Sequence, residues 1–189
     1  MKINLYDFDK TIYDGDSSVD FFLFNLKKQP LLFFHIFKMF YVLIKYKLKK
    51  IDKTQMKVVV FSYLKKIKNI DERIDLFWEK NKKKIKSFYL LKKHDKDIII
   101  SASPEFLLNP LKDYLKCKMI IASKVDKCTG EFDGLNCHDE EKVRRLNEII
   151  NNYKVLEAYS DSKADIPILK LAEKSFYVKG NTIIPTNFQ

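Results

Sequence analysis

Two aspartates close to the amino terminus, Asp7 and Asp9 in the run Asp7-Phe8-Asp9-Lys10-Thr11, have the types and spacing to do chemistry. They close a short alternating run, residues 2–7, that predicts a buried strand. Ligands of open α/β sheets bind beyond the carboxyl ends of strands. A strand continued through Asp9 would also point both carboxylates the same way. Two such groups can divide a phosphoryl transfer between them. One, ionised and bound to a divalent cation, attacks phosphorus; the other, off the metal, protonates the leaving oxygen. On these five residues alone, an acidic turn is the competing reading.

A second acidic pair, Asp161 and Asp165, follows the apolar run 155–159 and lies within Tyr159-Ser160-Asp161-Ser162-Lys163-Ala164-Asp165-Ile166-Pro167. Carboxylates are the hard oxygen donors that Mg²⁺ prefers, and aspartates at such a turn also cap helices. A third apolar run, Ile98-Ile99-Ile100, ends in Ser101, whose alternative role is a cap for the helix after Pro104. Between these segments, Asp139-Glu140-Glu141-Lys142-Val143 opens a pattern in which Val143, Leu146, Ile149 and Ile150 recur at helical spacing.

In their order along the chain, from Asp7 through Ser101 and Lys142 to Asp161, the four segments resemble the motifs of the haloacid dehalogenase (HAD) superfamily. Within it, the chain is similar to phosphatases of the phosphoserine phosphatase-like subgroup, which carry a small helical C1 cap after the first strand. The resemblance runs from Asp7 to Asp165. It implies that Asp7 is the nucleophile of an aspartyl-phosphate intermediate and Asp9 the general acid/base. It also implies that Lys142 offsets the crowded negative charge, with Lys124 as the fallback. Ser101, Ala102, Thr11 and Asp16 become the substrate-binding candidates, with the Ser101 hydroxyl and nearby backbone N–H groups on a phosphoryl oxygen. Mg²⁺ would be held by the Asp7 carboxylate, the Asp9 carbonyl and Asp161, with Asp165 supporting it or a bound water.

The second acid, Asp9, points to phosphomonoester hydrolysis, because an alkoxide leaving group needs a proton. The dehalogenases of the superfamily lack that acid, and its ion pumps need far more sequence. Asp16 stands nine residues after the nucleophile, where phosphoserine phosphatases carry a longer acid. Arg73 is the single arginine of the expected cap, and Ala164 replaces an Asn of those enzymes. These departures point away from phosphoserine toward another small phosphorylated metabolite. The alternatives are a HAD-type phosphotransferase, a lipid-phosphate phosphatase, and a protein whose basic cap docks on anionic surfaces.

Strand-like runs at 2–7, 97–102, 118–122, 155–159 and, more weakly, 175–178 alternate with helical patterns at 104–114 and 140–152. That alternation predicts an α/β fold with a mainly parallel, Rossmann-like central sheet. Residues 17–91 break it with four helical patterns at 18–28, 31–49, 54–67 and 71–88. The expected organisation is therefore a core of residues 1–16 and 92–189 with an all-helical cap at 17–91. The segment 31–46 is very apolar, but it is only 16 residues long and is interrupted by His35, Lys38 and Lys45. A membrane span needs about 20 apolar residues, so a buried cap helix is expected there. Contact with a membrane surface is the weaker alternative. The aromatic residues from Phe21 to Tyr41 are likewise expected in the core.

The chain has 189 residues, 46% of them hydrophobic and 32% charged, which excludes a disordered protein. Its net charge of +11 is unevenly spread. Residues 21–93 carry 19 lysines and Arg73 against five acids, a net +15, so the remainder is −4. That separation can draw an anionic substrate to a site between the two parts. With 33 lysines and three arginines, the chain does not read as a nucleic-acid binder, which favours Arg. The three cysteines, Cys117, Cys128 and Cys137, lack paired metal spacing and read as reduced thiols of a cytoplasmic protein without a signal peptide.

Overall fold

A computed structural model describes residues 1–188. The chain begins with strand β1 (Lys2–Tyr6) and then enters a helical block: α1 (Ser17–Lys28), α2 (Phe33–Lys47), α3 (Lys53–Phe61), α4 (Ile70–Asn81) and α5 (Ser87–Lys92). It returns to the sheet with β2 (Asp97–Pro104). The short helices α6 (Glu105–Leu108) and α7 (Lys112–Leu115) lead to β3 (Met119–Ser123), and α8 (Glu140–Ile149) leads to β4 (Lys154–Ser160). Helix α9 (Ile166–Leu169), β5 (Ala172–Lys179) and β6 (Thr182–Thr186) complete it. The sheet order is β3-β2-β1-β4-β5-β6, parallel except for the antiparallel β5–β6 pair. This is the expected mainly parallel α/β sheet, and β1 lies inside it between β2 and β4.

Alternation along the strands divides the buried residues between the two faces. Ile3, Leu5, Ile98 and Ile100 pack under α8 and α9 with Leu146, Ile168 and Leu169. Tyr6, Ile99 and Tyr159 face the other way and share one cluster with Phe21, Phe77 and Trp78 of the helical block. Tyr6 and Tyr159 stack at 4.6 Å, and Tyr159 and Phe176 at 4.7 Å, which makes an aromatic ladder across β1, β4 and β5. The Trp78 indole donates to the Leu107 carbonyl at 2.6 Å, so α4 is held to the core by a buried hydrogen bond as well as by area.

Several local expectations are corrected. The pattern at 104–114 is not one helix: a 3-10 turn at Asn109–Leu111 separates α6 from α7, because Pro110 cannot donate in a helix interior. The pattern at 71–88 divides at a 3-10 turn, Lys82–Lys84. Strand β6 was not anticipated; it follows a two-residue Gly180-Asn181 turn and carries Pro185 on the sheet edge. The largest correction concerns α2, which is not a buried helix. Only His35 and Val42 of α2 are buried, while Phe33, Phe34, Phe37, Phe40 and Tyr41 are exposed. Phe21 and Phe22 do lie in the core.

The helical block also closes on the loop after β3. Gly130 has φ +77°, and a Cβ there would stand 2.4 Å from the Phe61 carbonyl oxygen at the end of α3. Backbone cannot yield as a side-chain tip does. Gly130→Ala is expected to cost about 2 kcal/mol or more of stability, read as a lowered urea midpoint at unchanged slope.

Candidate active site

The carboxyl ends of β1, β2 and β4 meet at a cleft of about 470 Å³ that is roofed by α2 and α3. Asp7 follows β1 directly, and its N–H donates to the Tyr159 carbonyl of β4 at 2.9 Å. Strand β1 ends at Tyr6, so Asp9 does not reach the cleft by strand alternation. The chain turns instead, with the N–H groups of Ile12 and Tyr13 both donating to the Phe8 carbonyl and Lys10 at φ +59°. Both carboxylates still line the cleft.

Lys142, in the first turn of α8, is buried with its ammonium 2.7 Å from Asp7 Oδ1 and 2.8 Å from Asp165 Oδ1. Burial disfavours its charge, but the two aspartates outweigh that and hold the ammonium above its ordinary pKa. Helix α8 is fixed by Arg145, whose guanidinium donates to Glu141 and to the carbonyls of Ala122 and Leu135. Lys124, the alternative lysine, lines a different cavity with Asp126 and Asp133. On the other side of Asp7, the Thr11 hydroxyl donates to Oδ2 at 3.1 Å and accepts from the Asp161 N–H at 2.9 Å. Burial pushes Asp7 up to about 7, against the pull of Lys142.

Asp165 is buried and engaged on both oxygens, by Lys142 and by the Ser160 hydroxyl at 2.6 Å. Asp161 is half-buried at the cleft wall, and burial raises its pKa. Asp9 accepts from the Ser17 N–H at the start of α1, at 2.6 Å, and from the Ser103 hydroxyl. Burial and the nearby Asp16 push it up to about 6 against those two donors. Asp16 caps α1, accepting from the Val19 N–H at 3.0 Å, and reaches the cleft edge. Ser101 is buried at the cleft floor, and its hydroxyl accepts from the Ser103 N–H at 3.1 Å. The register of β2 against β3 shifts between Ser101 and Pro104. Ala102 and Ser103 also line the cleft, and the Ala102 carbonyl accepts from Lys57 and Ser123.

The description of one family fits this arrangement: a model of the haloacid dehalogenase-like hydrolases matches residues 5–170. The chain belongs to that family. Among curated proteins it is similar to protein CicA of Caulobacter vibrioides, at 30% identity over 89 residues, 43% of this chain and 40% of that protein. It is also similar to a histidinol-phosphatase of Neisseria meningitidis, at 29% over 92 residues, 42% of this chain and 41% of the other. The matches thus span well under half of those relatives' length. Among solved structures, a Bordetella pertussis protein of unknown function superimposes with a TM-score of 0.74 at 17% identity, covering 92% of this chain and 88% of that one. A substrate-bound phosphoserine phosphatase superimposes at 0.57 with 15% identity, covering 93% and 85%. These structural likenesses establish the HAD fold.

In this HAD hydrolase the helical block adds two cations that the sequence patterns did not single out, Lys53 and Lys57, one turn apart on α3 and both lining the cleft. Lys57 is half-buried, donating to the Ala102 carbonyl at 2.7 Å and to Asn136 Oδ1 at 2.9 Å. Burial, helped by Lys53, lowers it to about 8. Nothing in residue type marks either among 33 lysines. Ser103 was missed as well, although it lies only two residues beyond Ser101. The cleft so assembled places a carboxylate, a buried ammonium, a second carboxylate with hydroxyl donors, and two roofing lysines around one space. That set can bind a dianion, attack it and exchange a proton with it.

Proposed function

We propose that the protein is a Mg²⁺-dependent phosphomonoesterase acting through an aspartyl-phosphate on Asp7. The observation that carries this reading is the buried Asp7–Lys142–Asp165 cluster beside a separately held second acid, Asp9. An Asp7 oxygen attacks phosphorus in line and forms the acyl-phosphate bond as the ester P–O bond breaks, and Asp9 gives its proton to the departing oxygen. Asp9 then takes a proton from water as that water attacks phosphorus, releasing inorganic phosphate and restoring the Asp7 carboxylate. Ser101 and the Lys142 ammonium meet the charge on the transferring oxygens.

The residues suit Mg²⁺. The carboxylates of Asp7, Asp9, Asp161 and Asp165 line one cleft as the hard oxygen donors that this ion prefers. Among the described residues no three His, Cys, Asp or Glu side chains gather as a metal cage. The donors would be Asp7, Asp161 and the Asp9 carbonyl, with Asp165 supporting, completed by water as Mg²⁺ tolerates. When bound, the ion neutralises phosphoryl charge. Residues 17–91 act as the cap over this site in the proposal.

The test is phosphate release from a panel of phosphomonoesters with and without Mg²⁺. Histidinol phosphate belongs in the panel because a similar protein is a histidinol-phosphatase. Metal-dependent turnover supports the reading, and none from any ester would count against it. A further expectation concerns Lys57. Charged below about 8 and neutral above, it should make KM rise as pH passes 8. Lys57→Met should raise KM about tenfold at pH 7 and abolish that pH dependence, read from initial rates.

A further inference from the structure

Helix α2 carries an apolar face that none of the described residues covers. Phe33, Phe37, Phe40, Tyr41 and Ile44 recur at helical spacing, and the aromatic members are between 53% and 65% exposed. Phe34 and Leu31 extend the patch. A contiguous patch of this kind marks an interaction surface, unlike scattered exposed residues.

Charge identifies the partner. Residues 21–51 contain seven lysines and no acid. By helical position Lys38 and Lys45 border the stripe on one edge and Lys47 on the other, with the Lys45 ammonium 4.7 Å from the Tyr41 ring centroid. An apolar stripe bordered by lysines is the pattern of a helix lying in the headgroup layer of an anionic bilayer. A second copy would set lysines against lysines. No helix of the described residues is long and apolar enough to cross a membrane, so the fit is to a surface.

The stripe also runs into the active-site cleft. Leu43, three residues after Phe40 and 39% exposed, lines that cleft together with Met39. We propose that α2 seats the protein on an anionic bilayer surface, and that the cleft takes from it a phosphomonoester whose apolar chain lies along Met39 and Leu43. The second half rests on the phosphatase reading; the docking does not.

The test compares the full chain with a Phe37→Ser/Phe40→Ser variant, neither position lining the cleft. Co-sedimentation uses vesicles of phosphatidylcholine alone or mixed with phosphatidylglycerol. The wild type should bind the mixed vesicles, less so at high salt, and the variant about tenfold more weakly. Hydrolysis of a soluble aryl phosphate should agree within about twofold between the two. Hydrolysis of a long-chain alkyl phosphate carried in mixed vesicles should fall about tenfold in the variant. Absence of vesicle binding, equal binding by the variant, or dimers of wild type that the variant fails to form would overturn the docking. Equal turnover of the alkyl phosphate by both would overturn the substrate assignment. Vesicle binding with no turnover of any ester would support the docking and overturn the phosphatase reading instead.

Discussion

Asp7→Asn should remove phosphate release, by about 10⁴-fold or more, in a protein that remains folded. The carboxamide keeps the volume of the side chain and can still accept from Thr11, which stands 3.1 Å from Oδ2. It cannot form the acyl-phosphate bond. The fold tolerates the change because Lys142 keeps a second partner, Asp165, at 2.8 Å. One of the acids crowded about the cleft becomes neutral without leaving a void. The melting temperature should therefore stay near the wild-type value, read by calorimetry beside the assay. Turnover within a hundredfold of wild type, in a sample free of contaminating phosphatase, would remove Asp7 from the nucleophile's role.

Lys142→Met has the opposite profile and should damage both stability and rate. The ammonium is the cation bonded to two buried carboxylates, Asp7 and Asp165, at 2.7 and 2.8 Å. A thioether of similar length leaves those carboxylates unpaired in an enclosed site. Breaking one side of a buried ion pair costs about 3–5 kcal/mol, and loss of a preorganised charge at the reacting group costs about 10²–10³-fold in rate. Chemical unfolding separates the two effects. Adding Asp165→Asn to Lys142→Met should restore part of the lost stability, since one stranded charge disappears, while the rate stays low. No recovery in the double variant would mean that the cost of Lys142→Met lies in packing and not in charge.

The sheet was legible because its strands are short, largely apolar runs whose ends carry residues of unusual type: Asp7 after Leu5-Tyr6, Ser101 after three isoleucines, Asp161 after Tyr159-Ser160. The four segments could be ordered without seeing them folded. What escaped depends on context that no residue type announces. Lys53 and Lys57 are chemically identical to lysines that face solvent, and only the placement of α3 over the cleft sets them apart. Ser103 enters the site beside a register shift in β2 that strict alternation does not foresee. The edge strand β6 carries its own signal, Gly180-Asn181 between two apolar runs, but at five residues with Pro185 it is too short to stand out by alternation. The apolar content of α2 was read as burial, whereas its position on the outside of the helical block leaves one face bare. Hydrophobicity states a preference for leaving water and not where that preference is met.

The place of β1 within the sheet has a consequence for the order in which the site is made. Asp7 is synthesised before either neighbour of its strand, which pairs with β2 through Asn4 and Asp97 and with β4 through Tyr6 and Tyr159. The cluster is complete only when Asp165 arrives. Those pairings close loops of roughly 90 and 150 residues, the kind of distant contact that slows folding. The helices between β1 and β2 draw their backbone hydrogen bonds from local sequence, so they can begin to form while the nucleophile is still without partners, although their packing waits for Leu107 and Tyr159. A nascent chain ending after Ile150 would hold Asp7, Asp9, Ser101 and Lys142, but neither β4 nor Asp165. Asp7 thus becomes a working group only after β4 and Asp165, made long after it, have reached its side.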